Sequence, residues 1–171
     1  MKSILNHTIT SKKVIIALQI IVPILAFILA VTKNMDIANT NHQPTDYVQP
    51  VMSFLNLPKP DFIWKVCIHN YVLAVSQAVL SFFSFGLLGI WFLFSNFYIY
   101  GIACKYTNNL FILLEMMGTL LSIYSSTSFA FHVLRDKRKL STCFYKIIIY
   151  LIITFFIFLF GAYFEGGMIF G

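Results

Sequence analysis

Long uncharged apolar segments alternate with short polar segments along the chain. Residues 14–31 and residues 147–164 are each long enough to cross the hydrocarbon core of a bilayer as a helix. Residues 62–106 carry almost no charge. As a single helix they would extend about 67 Å, roughly twice the thickness of the bilayer core. This segment therefore predicts two spans joined by a tight turn.

The turn and the remaining span follow from the same pattern. We expect the turn at Ser84, Gly86 and Gly89, because serine and glycine are typical of tight connections. Residues 110–134 then form the fourth span. The pattern predicts an all-α, polytopic transmembrane helical bundle of about five spans. The number is four if the first span is a cleaved signal peptide, and six if a re-entrant segment also crosses.

Polar segments between the spans divide the chain into four parts. Prolines at 44, 50, 58 and 60 prevent a continuous helix after the first span. The predicted parts are a cytoplasmic amino terminus at 1–13, a first transmembrane helix at 14–31, an extracytoplasmic loop at 32–62, and a four-helix membrane core at 63–171 with a basic cytoplasmic loop at 135–146.

Composition supports a lipid environment. The mean hydropathy is +0.83, and 11% of the residues are charged, whereas soluble domains contain about 25%. Five spans leave no room for a soluble enzyme domain. The net charge of +6 lies in segments that flank the apolar runs, so we interpret it as a determinant of topology. We expect the lipid bilayer as a partner and no nucleic acid.

The distribution of Lys and Arg predicts the orientation. With a cytoplasmic amino terminus and five spans, eight of these residues lie inside and four outside, which satisfies the positive-inside rule. The inside set includes Arg135, Lys137, Arg138 and Lys139 of the basic loop, which we select as a candidate docking site for a soluble partner. We therefore expect a multi-pass membrane protein with a cytoplasmic amino terminus. The richness of the chain in Ile, Phe, Asn and Lys is typical of an AT-rich bacterial genome, so the expected location is a bacterial plasma membrane.

Polar residues recur on one face of the second and third spans. Asn70, Gln77 and Ser81 follow each other at helical spacing in the second span. In the third span, Asn96 lies among small residues that allow close helix packing. Polar side chains within a membrane usually face the bundle interior. These residues therefore either hold helices together or line a pathway, and the sequence leaves both interpretations open.

The last two spans each contain a glutamate. Glu115 precedes Ser122 on one face of the fourth span. A charged carboxylate at the centre of a bilayer costs about 2.5–3.5 kcal/mol on insertion scales, so Glu115 is either a packed structural group or a functional one. Glu165 ends the fifth span, and we expect it to be hydrated near the outer interface and less deeply packed than Glu115.

Sequence motifs for catalysis and metal binding are absent. The chain contains no GxSxG, HExxH, Walker or GxGxxG motif, and its four histidines are scattered. The three cysteines show no metal-binding spacing, so we expect them to be packing residues. We predict no catalytic residue, no metal site and no cofactor. An intramembrane enzyme using Glu115, Glu165 and His69 is a less favoured alternative.

Three short stretches resemble the stage II sporulation protein M family of small bacterial integral membrane proteins. The first is Asn70 followed by Gly86, Gly89, Asn96 and Gly101; the second is Glu115 with small residues behind it up to Phe129; the third is Ala162, Tyr163, Phe164 and Glu165. The resemblance covers residues 60–168 and implies a non-enzymatic membrane protein.

Two functions follow from this resemblance. One branch of the family assists bacteriocin secretion or self-immunity, often beside an ABC-type ATPase. This implies that the chain is the membrane subunit of an export or immunity complex, with a cytoplasmic ATPase or other membrane subunits as partners. The other branch joins a complex that remodels the cell wall, which implies a membrane scaffold for such enzymes. A homo-oligomer is compatible with either function.

Overall fold

The computed structural model describes residues 2–37, 56–104, 109–135 and 140–170. These residues form five α-helices and contain no strand. The helices are α1 (Lys2–Ile37), α2 (Lys59–Phe83), α3 (Leu87–Ala103), α4 (Asn109–Arg135) and α5 (Leu140–Phe170).

Four of these helices are long and apolar enough to cross a membrane. Their candidate spans are Thr10–Lys33, Lys59–Phe83, Leu110–Val133 and Phe144–Phe170. The fifth, α3, is also apolar and has 17 residues, which corresponds to about 25 Å at the usual helical rise and to the lower limit for a span. The predicted all-α membrane bundle of about five spans is confirmed.

Helix boundaries extend beyond the apolar runs. α1 starts at Lys2 and ends at Ile37, because backbone hydrogen bonding continues where the helix leaves the hydrocarbon region. α2 begins at Lys59, within the segment assigned to the loop at 32–62, with Pro60 in its first turn. Proline is tolerated there because the first helical N–H groups have no intrahelical acceptor. Residues 38–55 of that loop lie outside the described residues.

Successive helices alternate in direction. At one end of the bundle, which we call the turn end, Lys12 Nζ of α1 donates to Ser128 Oγ of α4 at 3.1 Å, and the α2–α3 turn lies nearby. At the opposite, glutamate end, Asn70 of α2 contacts Glu115 of α4. The start of α2 also meets the end of α5 there, since a Cβ on Gly166 would lie 2.7 Å from Ile63 Cγ1. This up-and-down order fits an odd number of crossings.

Two apolar clusters fill the interior. The larger one joins α2, α4 and α5 and contains Phe62, Val66, Cys67, Ala74, Phe111, Ile112, Phe158 and Ala162. The smaller one joins α1, α3 and α4 and contains Ala26, Leu93, Phe97 and Ile123. α1 packs mainly against α3, while α4 packs mainly against α5 and α2. Large apolar side chains such as Leu25 and Trp91 are exposed on the outside, as expected for a surface that contacts lipid.

The α2–α3 turn is a Schellman motif followed at once by a new helix. Gly86 N–H donates to the Ser81 carbonyl at 2.8 Å, and Phe85 N–H donates to the Phe82 carbonyl at 3.2 Å. Phe85 and Gly86 both have positive φ, of 52° and 90°. The predicted turn at Ser84 and Gly86 is confirmed. Gly89 instead lies within α3, where it packs against Ser81.

Candidate functional site: the buried polar core

The polar residues selected from the sequence face the bundle interior. Gln77, Ser81, Glu115, Ser122 and Glu165 are buried, and Asn70 and Asn96 are half-buried. Helical periodicity therefore identified the inward faces of α2, α3 and α4. The structure shows in addition which of these side chains meet.

A side-chain hydrogen bond connects α2 and α4 at the glutamate end. Asn70 Nδ2 donates to Glu115 Oε1, and Glu115 is 8% exposed. The hydroxyl of Tyr100 of α3 lies 3.4 Å from Thr119 Oγ1, which is four residues after Glu115 on α4. A buried carboxylate thus has an amide donor from one helix and a phenol from another in its surroundings.

Glu165 is buried as well. It is 6% exposed, and its buried Oε2 atom has no hydrogen-bond partner among the described residues. The prediction of a hydrated Glu165 is therefore wrong, whereas the prediction that Glu115 is the more deeply packed of the two stays a prediction. The physical reason is that α5 continues to Phe170, so the turn that contains Glu165 still packs against the beginning of α2 through Gly166.

The two carboxyl groups belong to one region. Glu165 is close enough to Glu115 to interact with it electrostatically. The antiparallel register of α4 and α5 explains this, because a Cβ on Gly118 would lie 2.9 Å from the Phe158 ring, and one on Gly161 would lie 3.4 Å from the Phe111 ring. This register places Glu165 about one helical turn nearer the glutamate end than Glu115.

Other selected residues pair across helices in the middle of the bundle. Asn96 Nδ2 of α3 donates to Gln77 Oε1 of α2 at 2.7 Å. Ser122 Oγ of α4 donates to Thr154 Oγ1 of α5 at 3.3 Å. Each of these pairs therefore joins two helices by a hydrogen bond between side chains.

A second polar cluster lies at the turn end and centres on Gln19 of α1. Its Nε2 donates to Thr127 Oγ1 at 2.8 Å and to the Gly86 carbonyl at 3.2 Å. Thr127 Oγ1 also lies 2.9 Å from Ser81 Oγ. Gln19 is fully buried, and its Oε1 atom has no hydrogen-bond partner within the described part of the chain. α1, α4 and the α2–α3 turn thus meet at this amide, and α2 joins them through the contact of Ser81 with Thr127.

Sequence reasoning selected only Ser81 of this second cluster. Gln19 is conspicuous as the one amide inside the first apolar run, and Thr127 lies near the polar face of α4. A search for isolated amides in apolar runs would have selected Gln19. Nothing in the sequence pairs it with Thr127, because the two residues are separated by 108 positions.

The remaining predicted features are only partly within the described structure. Arg135 is the last residue of α4, and its side chain, like the residues at 136–139 that include Lys137, Arg138 and Lys139, lies outside the description. Cys67 and Cys104 are free thiols, and His69 is exposed on α2. Among the described residues, no group of three His, Cys, Asp or Glu side chains is placed to hold a metal ion.

Comparisons with known proteins add no identification. No family model, no curated protein and no solved structure matches this chain. The resemblance to the stage II sporulation protein M family therefore remains a prediction from short motifs. The fold, a membrane-embedded helical bundle, rests on the chain's own helices.

Proposed function

We propose that this protein is a non-enzymatic membrane subunit of a bacterial export or self-immunity complex and works with a separate ABC-type ATPase. The single observation that supports this most is the polar interior, which extends from Lys12 at the turn end to Glu165 at the glutamate end. Polar groups inside a membrane are costly and are a common feature of proteins that move ions or solutes.

Orientation forms part of the proposal. We infer that the turn end faces the cytoplasm of a bacterial cell, so that the amino terminus lies on the cytoplasmic side of the plasma membrane. The turn end contains the start of α1 with Lys12 and Lys13, and the start of α5 with exposed Lys146. Positively charged residues favour the cytoplasmic side. The basic loop at 135–146 would then be accessible to a soluble ATPase.

Recovery of the intact protein from its host tests the proposal. The tagged chain is purified in mild detergent, and proteins that copurify with it are identified and quantified by mass spectrometry. We expect an ATPase in stoichiometric amount. Changing Arg135, Lys137, Arg138 and Lys139 to Gln should reduce its recovery at least about tenfold, which corresponds to the loss of about 1.4 kcal/mol of binding free energy.

A matched control uses the opposite end of the bundle. Lys33 and Lys65 are exposed at the glutamate end, and changing both to Gln should leave ATPase recovery unchanged. Absence of any ATPase from the wild-type preparation would exclude the proposal. Recovery of cell-wall enzymes in its place would instead favour the alternative function of a membrane scaffold that positions these enzymes.

A further inference from the structure

Two carboxyl groups occupy one buried region at the glutamate end. Glu115 and Glu165 are 8% and 6% exposed, and both lie within candidate spans. Their environments differ. Glu115 Oε1 accepts a hydrogen bond from Asn70. Glu165 Oε2 is also a buried acceptor, but none of the described residues donates a hydrogen bond to it.

Two negative charges in this position would be costly. Removing a carboxylate from water is unfavourable, and bringing a second one near it adds a repulsion that a low dielectric strengthens. A bound proton removes one charge and thereby the repulsion. It also supplies an O–H donor, which is what a buried acceptor such as Glu165 Oε2 requires. One ligand therefore resolves both the repulsion and the unsatisfied oxygen.

We propose that Asn70, Glu115 and Glu165 form an intramembrane site that binds one proton, shared between the two carboxyl groups. Asn70 stabilises the ionised form of Glu115 by donating to Oε1. The site goes beyond the proposed role as a transport subunit, because it is a property of this chain alone.

The helices around the pair carry several titratable or polar side chains at this end of the bundle. α3 contributes the hydroxyl of Tyr100, which lies 3.4 Å from Thr119 Oγ1 of α4. α2 contributes Asn70 and, in the adjacent apolar cluster, the thiol of Cys67. The other titratable groups on this part of α2, Lys65 and His69, are exposed on its outer side. On α1, Lys33 is at this end of the bundle and is exposed. On α5, the titratable residue nearest in sequence to Glu165 is Tyr163, which is also exposed.

The composition of the chain allows a direct test without any substitution. Glu115 and Glu165 are its only two glutamates. Full-length protein labelled with ¹³C at the glutamate side-chain carboxyl and reconstituted in lipid therefore reports on these two groups alone. Magnetic resonance at neutral pH should show one protonated and one ionised carboxyl per chain. Two ionised carboxyls, or two protonated ones, would overturn the proposal.

Single substitutions test whether the proton is shared. In Glu115→Gln and in Glu165→Gln, the remaining glutamate has no charged neighbour, and the introduced amide can donate a hydrogen bond as the protonated carboxyl did. We expect the protonated signal at neutral pH to disappear in both variants. Persistence of that signal in both would show that burial alone protonates each carboxyl, and sharing would be refuted.

Two controls make these results specific. Asp61→Asn removes an exposed acid in the first turn of α2 and should leave both glutamate signals unchanged. Titration with Na⁺ or K⁺ at constant pH should also leave them unchanged. A shift of the label with either cation would identify a metal cation as the ligand and overturn the assignment to a proton. Because the measurement uses the isolated chain, its outcome is distinguishable from that of the ATPase experiment.

Discussion

Gln19 of α1 connects two other parts of the bundle through one side chain. Its amide donates to Thr127 of α4 and to the carbonyl of Gly86 in the α2–α3 turn. The cost of losing these bonds is moderated by two facts. Thr127 retains Ser81 as a partner, and Gln19 Oε1 has no partner to lose. Interhelical hydrogen bonds in membranes are also individually modest.

Replacing Gln19 with leucine should therefore destabilise the protein slightly. We expect Gln19→Leu to lower the free energy of unfolding in detergent by about 1 kcal/mol, because Thr127 Oγ1 and the Gly86 carbonyl each lose one hydrogen bond. The Gly86 carbonyl still accepts from the Ile90 N–H at 3.1 Å, which keeps the cost small. Ser76→Ala is the matched control, since Ser76 is exposed and bonds only within its own helix. Equal effects of the two substitutions would contradict the role assigned to Gln19.

Gly86 has a left-handed backbone conformation, and the neighbouring side chains leave no room for a Cβ atom. Its φ is +90°, and a Cβ would lie 2.5 Å from Thr127 Cγ2 and 2.8 Å from Ile15 Cγ2. We expect Gly86→Ala to lower the free energy of unfolding by about 2–4 kcal/mol, from the left-handed backbone and from overpacking. Thermal unfolding in detergent measures this change.

Gly167 provides the contrast to Gly86. A Cβ there would have no heavy atom within 4 Å, and the residue lies inside α5. Gly167→Ala should be neutral or stabilise the protein by up to about 1 kcal/mol, because alanine is the better helix former. Destabilisation by Gly167→Ala as large as that by Gly86→Ala would show that the two sites are not packed as described.

At the scale of elements, α1 is attached to the bundle mainly through α3. Gly101 of α3 makes the closest approach, since a Cβ there would lie 2.7 Å from Ala30 Cβ and 2.8 Å from the Phe27 carbonyl oxygen. The Phe27 carbonyl oxygen belongs to the backbone of α1, so it can move only if α1 itself shifts. Close contact between α1 and α3 therefore depends on a small residue at this position.

A methyl group at Gly101 should separate α1 from α3. We expect Gly101→Ala to cost about 1–3 kcal/mol and to increase hydrogen exchange selectively in α1. In Gly161→Ala, the nearest atom to the new Cβ is 3.4 Å away on the Phe111 ring, so α1 should keep its protection. Uniform loss of protection across all helices in Gly101→Ala would indicate that α1 does not open independently.

At the scale of the whole molecule, the alternation of the five described helices places the start of α1 and the end of α5 at opposite ends of the bundle. The start of α1 lies at the turn end with Lys12 and Ser128, whereas the end of α5 lies at the glutamate end with Gly166 and Ile63. We expect these two ends to face opposite sides of the membrane, which requires the 17-residue α3 to cross the bilayer completely.

Accessibility to a membrane-impermeant thiol reagent tests this topology. In a variant without native cysteines, we expect a cysteine at Ser84 to be labelled only after permeabilisation and a cysteine at Gly171 to be labelled in intact cells. This result would establish a cytoplasmic turn end and an odd number of crossings between the two positions, as α3, α4 and α5 require. Labelling of both positions from the same side would require an even number of crossings between them and contradict the up-and-down order.

Much of this architecture was predictable from sequence, for identifiable reasons. Burial in lipid depends on the length and hydropathy of each run, so the membrane class and the four longer spans follow from local composition. The turn at Ser84 and Gly86 follows from the excess length of one apolar segment. Helical periodicity likewise predicted that Gln77, Ser81 and Ser122 face inward.

Tertiary structure alone decided which polar groups meet. Asn70 and Glu115 are 45 positions apart, and Gln19 and Thr127 are 108 positions apart. Their contact depends on the rotation and vertical register of whole helices, which are set by packing at many small residues such as Gly118 and not by local pattern. The burial of Glu165 was missed for the same reason. Its position at the end of a span suggested water, whereas the packing of α5 against α2 excludes it.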